Sequence, residues 1–147
     1  MNGIAEFAPR ALALEARFVS APGAVAGGVA VLLRLEGLAA FALAAAAYAH
    51  LGASWIGFAA LFLAPDLAIA GYLFGPRLGA FVYNLAHAYL APLALGAAGL
   101  ALGAPAAEGL ALVWIAHIGF DRALGFGLKY PTSFGHSHLG RLGRAAR

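Results

Sequence analysis

Seven side chains that lipid tolerates poorly interrupt four long apolar stretches of this sequence: Glu36, Asp66, Asn84, His87, His117, Asp121 and Arg122. An Asp or Arg at the centre of a spanning helix costs about 2.5–3.5 kcal/mol on translocon scales, so such residues must face one another, a cavity or a ligand. Neutral imidazole and carboxylate are ligands for zinc, iron or manganese. The same groups can relay protons. Asp66, His87, His117 and Asp121, with Glu36, are therefore the candidate metal ligands or proton carriers. His117 and Asp121 are four residues apart and share a helix face, so Asp121 could ligate or could orient the imidazole. Tyr83 and Asn84 precede His87 by four and three residues and Arg122 follows Asp121. These three are the expected supporting residues, with Arg122 balancing the negative charge. Two histidines at similar depth also admit a bis-histidine haem. The alternative to any ligand is a self-satisfied network, in which Arg122 pairs with Asp121 or Glu36 and the histidines bond to carbonyls.

The stretches that carry these residues are membrane helices by composition. Of 147 residues, 63% are hydrophobic and 10% charged, and mean hydropathy is +0.87. A soluble domain carries about 25% charged residues, and disordered chains are poor in apolar ones. At about 20 residues per span the length admits four spans: Ala30–Ala49, Ser54–Phe74, Arg77–Leu102 and Ala107–Leu128. They are separated by breaks rich in Gly and Pro. Short breaks make neighbours antiparallel, so the expected fold is an all-α integral membrane bundle of four antiparallel transmembrane helices in one domain, residues 30–128. Residues 1–29 form a short amphipathic segment suited to the membrane surface rather than a cleaved leader, because Glu6 comes early and no clear cleavage site follows. Residues 129–147 form a basic tail. Eight of the nine Lys and Arg residues fall at the two ends of the chain or between spans two and three. The positive-inside rule then puts both termini in the cytoplasm.

Depth follows from a rise of about 1.5 Å per residue. Asp66, His87 and His117 come out near the midplane, with Glu36, Asn84 and Asp121–Arg122 about one turn nearer the cytoplasm. Pro65 removes a backbone donor just before Asp66 and loosens span two there. There is no cysteine, which excludes disulfides and thiolate metal sites and leaves nitrogen and oxygen ligands. The cationic tail suits anionic lipid headgroups, and His136-Ser137-His138 could bind metal at that surface. No nucleic-acid-binding fold fits the remaining residues. Homo-oligomer contacts or a partner in a membrane complex are compatible with the apolar surface. Three functions compete: a polar site that binds metal or shuttles protons, a non-catalytic assembly subunit, and an enzyme acting on a lipid or isoprenoid at the cytoplasmic interface.

Several ordered motifs run through the chain: Arg34-Leu-Glu-Gly37, Ala64-Pro-Asp-Leu67, Gly71-Tyr72 with Gly75-Pro76, Tyr83-Asn84 with His87, and His117-Ile-Gly-Phe-Asp-Arg122. Gly125-Phe-Gly-Leu-Lys-Tyr-Pro131 and His138-Leu-Gly140 follow. In these the chain resembles, from about Leu33 to Arg144, a family of small four-helix bacterial membrane proteins known only as a domain of unknown function. The resemblance implies the four-span fold and a bacterial inner membrane, and no activity.

Overall fold

The computed structural model describes residues 23–141, so residues 1–22 of the amphipathic segment expected at 1–29 and the last six residues of the basic tail lie outside the described residues. Helix α1 covers Gly27–His50 and α2 Trp55–Phe62. A 3₁₀ run, Ala64–Phe74, continues from α2. Helix α3 is Pro76–His87, α4 Leu90–Leu102 and α5 Pro105–Leu124. Two short antiparallel strands close the described chain, β1 at His136–Ser137 and β2 at Gly140–Arg141.

These elements make four rods, in place of the four expected spans. Three of them, Gly27–His50, Trp55–Phe74 and Pro76–Leu102, are long and apolar enough to cross a membrane. At most 17% of their most apolar stretch is buried within the protein. Large side chains such as Leu43, Ile56, Leu73 and Leu90 instead stand on the outer surface, where a soluble monomer would not carry so continuous an apolar face. The fourth rod, α5, contains Glu108, Asp121 and Arg122 and is the hub: it packs most extensively on α1 and α4 and also touches α2. The 3₁₀ run packs on α3.

The α1–α5 contact depends on two glycines. A β-carbon on Gly119 would overlap the backbone of Phe41 and the Gly37 carbonyl, and one on Gly37 would overlap Arg122. The backbones approach because neither residue has a side chain.

Two prolines shape the rods that carry the site. At Pro65 the second rod changes from α-helix to 3₁₀, a tighter coil of about 3.0 residues per turn. Pro92 interrupts the third rod, which the apolar run at 77–102 predicts as one continuous span. Its ring would strike the carbonyl four residues back, and its missing N–H leaves that carbonyl unbonded. That residue is Ala88, whose backbone is extended (φ −92°, ψ 139°). Carbonyls freed at the break are recaptured by α5 side chains. The Trp114 Nε1–H donates to the Ala86 carbonyl at 2.6 Å and Arg122 Nη2 to the His87 carbonyl at 3.3 Å.

Beyond α5 the chain folds back instead of trailing away. Gly125, left-handed at φ 94°, ends α5 with paired bonds from Gly125 N–H to the Arg122 carbonyl and from Phe126 N–H to the Asp121 carbonyl, the Schellman arrangement. Residues 126–141 then form a strap. It holds α3 through Asn84, whose amide donates to the Lys129 carbonyl at 2.9 Å and accepts from the Lys129 N–H at 2.7 Å. It holds the start of α1 through Val25 N–H to the His138 carbonyl, 2.8 Å. Lys129, His136, Ser137 and Leu139 are buried in it.

Candidate metal centre

The break at Ala88 leaves His87 as the last residue of α3, at the point where the rod turns. Its Nδ1–H donates to the Tyr83 carbonyl at 2.9 Å, which leaves the Nε2 lone pair free. The Tyr83 ring stacks on the imidazole at 3.7 Å between centroids and 8° between planes. Opposite, the middle of α5 presents His117 with its edge against Phe62, and one turn on it presents Asp121. Asp66 arrives from the first turn of the 3₁₀ run.

Four side chains meet. His87 Nε2 lies 3.2 Å from His117 Nε2, 3.4 Å from Asp66 Oδ1 and 3.6 Å from Asp121 Oδ2. His117 Nε2 lies 3.6 Å from Asp66 Oδ1 and 3.9 Å from Asp121 Oδ2. All four ligand atoms fall within 4.8 Å of one another. Four atoms around an ion at about 2.0–2.1 Å in tetrahedral geometry would be about 3.3–3.4 Å apart. The group could therefore hold a metal ion with small adjustments. Both histidines are buried, at 2% and 1% exposure. Two carboxylates would cancel the charge of a divalent cation, so the loaded centre would be neutral.

Tyr83 supports the site on a second side, its hydroxyl donating to Asp121 Oδ2 at 3.2 Å. Ligating carboxylates are commonly held by such a bond. His117 has less support: its Nδ1 is buried and has no hydrogen-bond partner among the described residues.

The expected set of residues divides. Asp66, His87, His117 and Asp121 come together, and Tyr83 takes the supporting role read for it. Glu36 does not join them: it is exposed on α1, one residue from the Gly37 that faces α5. Asn84 clamps the strap and leaves the centre alone. Arg122 forms no ion pair with Asp121 or Glu36; its guanidinium contacts the His87 carbonyl and His138 Nε2 at 2.7 Å. His136 and His138 do not pair as ligands. His136 Nδ1 is 2.7 Å from the Thr132 hydroxyl, and His138 Nδ1 accepts from Leu128 N–H at 2.9 Å.

Lys129, the first residue of the basic tail expected at the lipid headgroups, is 3% exposed. Its Nζ lies over the rings of Phe134 (4.3 Å), Tyr83 (5.1 Å) and Phe126 (5.8 Å). Burial pushes this ammonium below the usual lysine range, against the pull of Asp121 and Asp66. A cavity of about 270 Å³ opens beside the centre, with Asp66, His117 and Asp121 on its wall together with Tyr83, Phe126 and Phe134.

Fold and site together define a helical protein with membrane-length apolar helices and a buried His/Asp cluster. The chain belongs to the family described as a domain of unknown function, DUF4260, whose model matches residues 30–142. No curated protein and no solved structure matches the chain.

Proposed function

We propose that this is an integral membrane protein of four spans whose Asp66–His87–His117–Asp121 centre binds one divalent metal ion within the bilayer. The observation that carries the reading is the spacing of the four ligand atoms, 3.2–3.9 Å over the five pairs that involve a histidine. The chemistry of the donors supports it as well. Two imidazoles and two carboxylates suit zinc in tetrahedral form, and iron or manganese if further oxygen ligands enter from the cavity. A bound ion of this kind supplies Lewis-acid polarisation or an activated water when a coordination position is open. His87 and His117 supply nitrogen donors, Asp66 and Asp121 supply the neutralising charge, and Tyr83 fixes Asp121.

In this reading α5 is the fourth span, adjacent rods are antiparallel, and both termini lie in the cytoplasm of a bacterial inner membrane. The distribution of Lys and Arg supports that orientation. Anionic headgroups would meet Arg34, Arg77 and Arg141, all exposed.

Elemental analysis of protein purified in mild detergent without chelator tests the reading, beside a His87→Ala, His117→Ala double variant. Near-stoichiometric zinc, iron or manganese that is lost in the folded variant is expected. Metal-free wild-type protein that also takes up none on titration would overturn it.

A further inference from the structure

We infer that a groove between α1 and α4 binds a lipophilic organic monocation, with the Glu108 carboxylate as its counter-charge. The inference does not rest on the metal reading. Glu108 stands in the first turn of α5 and Asp121 in its last, about 20 Å apart along the helix. The groove exists because α1 and α4 each pack extensively on α5 and far less on one another. Helix α5 is therefore its floor, through Ala111, Leu112 and Ile115, and the other two helices are its walls. Residues with little or no side chain, Ala47 on α1 and Gly96 and Ala97 on α4, leave the space open.

Size, charge and access each narrow the ligand. The cavity measures about 680 Å³, within the range of roughly 300–1,000 Å³ that holds a drug-sized molecule. Its lining is apolar apart from Glu108 and His50. The Glu108 side chain lies over α4, where a β-carbon on Gly99 would come within 2.9 Å of its Cγ. The carboxylate thus stands between α4 and α5, and it makes no ion pair among the described residues. The chain has no Lys or Arg between Arg77 and Arg122 to supply one from either of these helices' outer ends. A carboxylate against an apolar wall is costly until a counter-charge meets it. A cation in the groove meets it, whereas an anion is repelled and a neutral molecule leaves it unpaired. Access sets the last condition. Leu93 and Leu100 on the α4 wall are 57% and 71% exposed, so the groove opens sideways on the face that lipid would cover. A small hydrated ion would lose its water there, and a cation shielded by hydrocarbon would not.

Equilibrium binding of tetraphenylphosphonium and tetraphenylborate, two ions of one shape and opposite charge, tests this on the full chain in phosphatidylcholine nanodiscs at pH 8, with empty discs as the blank. Wild-type protein should show one saturable site for the phosphonium, at least tenfold tighter than any for the borate. That comparison needs no variant to fold. Glu108→Gln should lose at least tenfold in phosphonium affinity. Ala97→Phe, which fills the groove from its exposed α4 edge, should lose the site and leave the fold intact. Both variants should keep the metal content of the wild type, so the metal reading stands or falls separately. Equal binding of the two ions overturns the proposal, as does a folded Glu108→Gln with unchanged affinity. No saturable site above the empty discs overturns it in favour of a groove filled by lipid chains alone. A phosphonium site that survives in Ala97→Phe places the cation elsewhere and overturns it too.

Discussion

His87 and His117 are thirty residues apart in the chain, and their Nε2 atoms are 3.2 Å apart in the fold. Two unprotonated nitrogens at that distance repel, and one proton between them makes a hydrogen bond. A cation between them would use both lone pairs. Since His87 Nδ1–H is committed to the Tyr83 carbonyl, the free electron pair of His87 can point only into the cluster.

Tyr83→Phe should weaken metal binding without unfolding the protein. The substitution removes the hydroxyl that donates to Asp121 Oδ2 and keeps the ring stacked on His87. Losing an outer partner of a ligand typically costs about 10–100-fold in metal affinity. Competition against a chelator of known affinity should show a loss in that range. An unchanged affinity would mean that Asp121 is fixed by other contacts.

Asn84→Ala should do the reverse, lowering stability and sparing the metal. It removes both bonds of the clamp on Lys129 and leaves two backbone groups of the strap without partners, at a cost of about 1–3 kcal/mol for each group that stays dry. A lower melting temperature and faster amide exchange in 126–141 are expected, at unchanged metal stoichiometry. Loss of the metal as well would place Asn84 in the centre after all.

That division between Tyr83 and Asn84 marks how much of the site was legible in the sequence. Depth along a helix follows from counting residues, and counting puts Asp66, His87 and His117 in one layer; the four-residue spacing from His117 adds Asp121, and the fold brings these four together. Direction around the helix does not follow from depth. Glu36 shares the depth of the supporting residues, yet each residue turns the helix by about 100°, and with Gly37 packed against α5 its neighbour points outward. An apolar stretch with no polar face gives no azimuth to read. The Pro92 break is signalled only by the proline itself, which lies within a continuous apolar run. Nothing local marked Lys129 as buried, because its cage is assembled from α3 and the strap.

Pro92→Ala tests whether that break places His87. Alanine restores an N–H and removes the clash with the Ala88 carbonyl, so α3 and α4 can run on as one helix and rotate His87 away from His117. Metal affinity should fall at least tenfold, with no equivalent loss of thermal stability. Full affinity in a variant whose helix content has risen would show that tertiary contacts alone hold the break.

Acid should loosen the strap before the bundle. Both ring nitrogens of His138 face donors, Leu128 N–H on one side and the Arg122 guanidinium on the other. Burial first, and then Arg122, push this imidazole below the usual histidine range. The folded state therefore binds fewer protons than the unfolded one, and stability rises with pH. The contribution is complete above the unfolded histidine value of about 6.5 and is lost as pH falls through the lower folded value. Hydrogen exchange at pH 7.5 and 5.0, corrected for intrinsic rates, should show 126–141 opening at the lower pH. His138→Gln should reduce that pH dependence; an identical response in the variant would assign it to another group.

The most direct test of the metal centre is X-ray absorption at the metal edge, recorded on zinc-loaded wild-type protein after excess ion is removed. A tightly bound ion should show four nitrogen and oxygen neighbours at about 2.0–2.1 Å, with multiple scattering from two imidazole rings that is lost in the His87→Ala, His117→Ala variant. A shell of six oxygens without imidazole, or no retained zinc, would contradict a centre built from Asp66, His87, His117 and Asp121.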